Sequence, residues 1–146
     1  AGALKETSED GPYVSLLIFE VDEVWSPACG SGINPQPAGT TAQDLADQFA
    51  AAGFTIQEAV SPVNAFGQSG YHLVVEVPAG CTGESHSVWE GPTWGRFYQA
   101  EGQVVEYWFL DVEGTPVMVE TTRFAESSDD DVAGLRAVLD TLVITP

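Results

Sequence analysis

The sequence predicts an α+β domain: a largely antiparallel sheet with two helices packed on one face, closed by one disulfide. Three observations lead there. Strand-like runs outnumber helical ones, only two segments carry helical apolar spacing, and the best-defined strands are joined as a hairpin, not through helices. The order along the chain is strand, helix, many strands, helix.

Residues 1–12 are polar and acidic and end in Gly11-Pro12, which reads as a linker or frayed tail ahead of a single domain over 13–146. Residues 13–25 are rich in Val, Leu, Ile, Phe and Tyr and read as one long strand or two short ones. Ser26 to Thr40 holds three Pro and three Gly and reads as a loop. A helix follows. Thr41 is its N-cap and Asp44 its capping-box acid, while Leu45, Ala46, Phe49 and Ala50 form one apolar face. Gly53 suits the left-handed residue that ends it.

Phe54 to Val60 reads as a strand broken by Pro62 and the Gly67 to Gly70 region, with Tyr71 to Val77 as the next. Cys81 sits in a turn between Pro78, Gly80 and Gly83. Ser87 to Glu90 and Arg96 to Ala100 are short strand candidates. Val104 to Val112 and Thr115 to Arg123 form the clearest hairpin, turning on Glu113-Gly114, with Trp108, Leu110, Val117 and Val119 as cross-strand partners. The last helix runs from about Asp129 to Leu142. Ser127 or Ser128 caps it, Asp129, Asp130 and Asp131 occupy its positive end, and Val132, Leu135, Leu139 and Leu142 make its buried stripe.

The totals set bounds. At 146 residues with 44% apolar content, the chain makes one domain that folds without a metal. Its apolar runs are far shorter than the roughly 20 residues of a membrane helix, and it opens Ala1-Gly2-Ala3-Leu4-Lys5, without the basic-then-apolar pattern of a signal peptide, so an exported form would have lost its leader or anchor. With 22 Asp and Glu against 4 Lys and Arg, the formal net charge is −18, which repels nucleic acid and anionic membranes and favours basic partners. Solubility alone, or adaptation to high salt, explains the same excess.

Cys29 and Cys81 lack the Cys-x-x-Cys spacing of redox or zinc motifs. An even count in loops of an acidic chain favours one disulfide in an oxidising compartment. Two separate buried thiols are the alternative.

Several of these features recur together: Val21-Asp22-x-Val24 with Cys29 soon after, a helix, Pro78-x-x-Cys81, a tryptophan and an aromatic pair, then Trp108-x-Leu110-Asp111-Val112-x-Gly114-Thr115 and a final amphipathic helix. Over roughly residues 14–145 this resembles a family of secreted or membrane-anchored actinobacterial domains of undefined function. The closing hairpin and helix also resemble the Mog1/PsbP-like fold. The resemblance implies a Cys29–Cys81 pairing, export and an α+β fold, and it transfers no catalytic residue.

Chemistry has few footholds. His72 lies in a strand and His86 in a polar loop, with no nucleophile elbow nearby. No spacing favours a metal site or a cofactor. The Asp129 to Asp131 run lacks the calcium-loop pattern and suits a helix N-terminus. Trp89, Trp94, Phe97 and Tyr98 fall within ten residues, interleaved with Gly91, Pro92 and Gly95. Aromatics in such a loop make either a contact surface for a protein partner or a small apolar or sugar ligand, or a cap on the core. These residues favour a non-catalytic extracytoplasmic binding or sensor domain. A small secreted hydrolase and a structural subunit of an envelope complex are the alternatives.

Overall fold

The computed structural model describes residues 2–5, 14–26, 34–81, 87–93, 95–97 and 101–146, without the side chains of 2–5, 96 and 97. The main sheet has six strands: β1 (Gly2–Lys5), β2 (Val14–Phe19), β5 (Thr55–Ala65), β6 (Gln68–Glu76), β9 (Val104–Val112) and β10 (Thr115–Arg123). They lie in the order β1-β2-β10-β9-β6-β5, and every pairing is antiparallel. A smaller sheet has the order β4-β3-β7-β8, built from β3 (Glu23–Ser26), β4 (Asn34–Pro37), β7 (Ser87–Glu90) and β8 (Gly95–Phe97). The helices are α1 (Ala42–Ala50) and α2 (Asp129–Thr141).

The β9–β10 hairpin matches its sequence reading. Trp108 stands opposite Val119 and Leu110 opposite Val117, in unbroken register from Thr115↔Val112 to Arg123↔Val104. Glu113 and Gly114 both take positive φ, as a turn twisted to match its strands requires. Asp111 Oδ1 accepts from the Gly114 amide at 2.7 Å and fixes that turn.

Both helices are capped as the sequence predicts. Thr41 Oγ1 accepts from the Asp44 amide at 3.1 Å, and Ser128 Oγ accepts from the Asp131 amide at the same distance. Ser128 also donates to the Asp131 carboxylate at 2.7 Å, so the last residue of the acidic run is engaged in capping. Leu45, Ala46 and Phe49 are fully buried. Burial of a Leu or Phe side chain stabilises by about 1.5–3 kcal/mol each. Gln48 ties α1 to the preceding segment, accepting from the Gly39 amide at 2.6 Å and donating to the Pro37 carbonyl at 2.9 Å.

The helices do not share a face of the sheet, contrary to the sequence reading. Val105, Tyr107 and Phe109 pack with α1 and with Val24, Val88 and Trp89 of the small sheet. Trp108 and Leu110 point the other way, onto Leu139 of α2. The cause lies in the consecutive Tyr107-Trp108-Phe109-Leu110: successive strand residues point to opposite faces, so four apolar residues in a row require cover on both. The layers are therefore α2, the main sheet, then α1 beside the small sheet.

Other boundaries move for identifiable reasons. Residues 13–25 supply two strands, one to each sheet. The 26–40 segment contains β4, paired with β3. Residues 2–5, read as part of a linker, pair with the open edge of β2. Pro62 does not end β5, because β5 is an edge strand, where a missing N–H breaks no ladder bond. The chain turns instead at Phe66-Gly67, both at positive φ. That conformation is costly for Phe66. Its ring packs edge-on to Trp108 at 5.3 Å, and its carbonyl accepts from the Ile144 amide at 2.8 Å.

Candidate functional site

A cleft of about 570 Å³ opens where α1 stops covering the main sheet. Its origin is a mismatch of lengths. A nine-residue helix spans about 14 Å, while an eleven-residue strand spans about 36 Å, so α1 leaves the far part of the β5–β6 hairpin bare. Register decides which side chains line the opening. Pro62 faces Tyr71 and Asn64 faces Ser69 across β5–β6, and Ser69 faces Asp111 across β6–β9. The period of two puts Pro62, Asn64, Ser69, Tyr71 and Asp111 on the face that α1 occupies. Thr41, Ala42 and Gln43 form the opposing wall.

One contact fixes the rim. The Tyr71 hydroxyl donates to Gln43 Oε1 at 3.1 Å, joining sheet to helix. Gly70, between Ser69 and Tyr71, faces away from the cleft and lets β6 lie close to β9: a Cβ there would collide with the Phe109 carbonyl oxygen. Asp111 is the only charged residue in the lining. Three hydroxyls, two carboxamides, one carboxylate, a phenol ring and a proline ring thus meet in one opening, with no histidine, cysteine, lysine or arginine among them.

The opposite face carries a charged cluster. His72 Nε2 lies 2.9 Å from Glu106 Oε1, and Arg136 of α2 donates to Glu106 Oε2 at 2.9 Å. His72 Nδ1 faces Glu58 at 3.8 Å, and its ring lies 5.2 Å from that of Trp108. Burial pushes the Glu106 carboxyl upward, but the His72 hydrogen bond and the charge and hydrogen bond of Arg136 outweigh it, and the carboxyl is held below the usual glutamate value. Ser61 sits opposite His72 on β5. Both ring nitrogens nevertheless face carboxylates, which leaves neither directed at a hydroxyl. The arrangement fastens α2 to the sheet.

The residues singled out in the sequence fare differently. Trp89 is fully buried, in strand β7 and not in a loop. Its Nε1–H donates to Glu120 Oε2 at 2.9 Å, and its ring lies 5.1 Å from that of Phe19. Trp89 is a core residue and presents no contact surface. Trp94 and Tyr98 lie outside the described residues, as does the Phe97 side chain. Pro92 and Thr93, just before Trp94, border a shallower hollow of about 400 Å³ with Ile18, Phe19, Glu20 and Val117. Cys81 is fully buried and is not a free thiol, while Cys29 and His86 lie outside the described residues. Among the described residues no group of three His, Cys, Asp or Glu could hold a metal ion, and no helix is long and apolar enough to cross a membrane.

No family model, curated protein or solved structure matches the chain.

Sequence reasoning passed over the cleft residues. Asn64, Ser69 and Tyr71 are ordinary strand residues one at a time. Their convergence depends on hairpin register, which Pro62 and the bulges between Ile56 and Ser61 conceal.

Proposed function

We propose that this is a non-catalytic extracytoplasmic binding or sensor domain that takes a small ligand, or a short segment of a protein partner, in the cleft at the end of α1. The observation that supports it is the cleft itself. Its volume falls within the roughly 300–1,000 Å³ usual for ligand sites, and its lining mixes hydrogen-bonding groups with an aromatic ring. The lining holds no histidine, lysine or cysteine, and the one described histidine is held between two carboxylates on the other face. The Cys29–Cys81 bridge and export belong to the same reading. They draw support from the buried, non-free Cys81. The net charge of −18 favours neutral or basic partners over acidic ones.

The test is an amide-resolved NMR screen of the oxidised protein against small-molecule fragments and short peptides. Shifts grouped at residues 41–43, 62–64, 69–71 and 111 are the expected result. Labelling of a serine by a fluorophosphonate probe, with no grouped shifts at the cleft, would replace this reading with the hydrolase.

A further inference from the structure

We propose that the cleft at the end of α1 is a subsite for a neutral saccharide, bound by Asn64, Ser69, Gln43 and Asp111 over the Tyr71–Pro62 platform. This rests on the binding reading above and narrows its ligand class.

The lining selects by charge first. It contains no cation, and the molecule carries −18 overall, so an anionic ligand meets repulsion and no counter-charge. It selects next by hydrogen-bond type. Asn64 and Gln43 each offer both a donor and an acceptor, the Ser69 and Thr41 hydroxyls can do either, and Asp111 only accepts. Thr41 Oγ1 already accepts from the Asp44 amide, which leaves its proton to donate. Gln43 Oε1 already accepts from Tyr71, which leaves its amide protons to donate. Asp111 Oδ1 is committed to the Gly114 amide, so Oδ2 is the oxygen turned to a ligand. A ligand that fits must donate to a carboxylate and both donate to and accept from amides and hydroxyls at short spacing. Sugar hydroxyls do both.

Shape gives the third constraint. Tyr71 and Pro62 are cross-strand partners on one face, so their rings stand side by side as a small apolar platform. A pyranose presents an apolar C–H face of matching kind, with hydroxyls at its edge. A purely apolar ligand would leave the surrounding amides and Asp111 stripped of water without partners, at a cost in affinity.

The experiment titrates the oxidised, isotope-labelled protein with maltohexaose, cellohexaose and chitohexaose, and with spermidine as a cationic control, at low and high salt. The proposal expects at least one glycan to give saturable shifts at 62–64, 69–71 and 111, with an affinity that salt leaves unchanged. Asn64→Ala and Ser69→Ala should each weaken it about tenfold, equivalent to one lost hydrogen bond. Both side chains are exposed, so melting temperature should hold steady. Tyr71→Phe, which keeps the platform and removes the contact to Gln43, should weaken it less. If no glycan moves these amides while fragments or peptides do, the saccharide class is wrong and the binding reading stands. If only spermidine moves them, and high salt abolishes the effect, the ligand is a cation and the proposal is overturned. If nothing moves them, both readings fall.

Discussion

Glu106 shows how a single residue decides between packing and chemistry. It stands on a face otherwise given to Trp108 and Leu110, and it is tolerated there because His72 and Arg136 satisfy both oxygens. Its carboxyl is held below the ordinary value of 4.5, so the folded state binds this proton more weakly than the unfolded chain does. The stabilisation is therefore complete above that ordinary value and is lost as pH falls through the lowered one. Glu106→Gln should cost on the order of 1 kcal/mol at neutral pH. The gap between variant and parent should close as pH drops below about 4.5. Denaturant melts across that range check it, and a gap that widens in acid would contradict the assignment. Trp89 teaches a related lesson. An indole among Gly and Pro residues looks like a surface feature in sequence, yet a fully buried carboxylate, Glu120, receives its N–H.

At the scale of elements, the β5–β6 hairpin depends on a segment far along the chain. Ile144 donates to the Phe66 carbonyl at 2.8 Å and accepts from Gln68 Nε2 at 2.8 Å. These bonds hold the positive-φ turn that sets the register of Asn64 opposite Ser69, and hence one wall of the cleft. Removing residues 143–146 should cost about 1–2 kcal/mol, the worth of two hydrogen bonds. Amide exchange should accelerate at residues 65–68 and stay unchanged in β9–β10. Hydrogen-exchange mass spectrometry reads both. The local signals were legible where they were purely local: the Thr41 and Ser128 caps and the Glu113-Gly114 turn all follow from residues within a few positions of one another. Pro62 was misleading because its tolerance in a strand depends on whether that strand lies at an edge, and adjacent residues carry no record of that.

Over the whole molecule, the main sheet carries a core on each face, one shared with α1 and the small sheet and one with α2. A Cys29–Cys81 bridge would tie the small-sheet side of that arrangement together across about 52 residues of chain, worth roughly 4 kcal/mol at most by loop-closure entropy. Intact protein alkylated without reduction should keep its mass, and reduction should lower its melting temperature. Two alkyl groups added without reductant would remove the bridge and the argument for an oxidising compartment.

The amino-acid sequence by itself determined the α+β class, both helices with their caps, the β9–β10 hairpin with its register, and the net charge of −18. Each is set by periodicity, by turn chemistry over a few residues, or by simple counting of charge. Tertiary structure alone decided that the helices take opposite faces, that β3, β4, β7 and β8 form a second sheet, and that Pro62, Asn64, Ser69, Tyr71 and Asp111 meet beside α1. The physical reason is that strand order and register are chosen by which distant surfaces bury each other best. That competition is global, so no window of the chain contains its outcome.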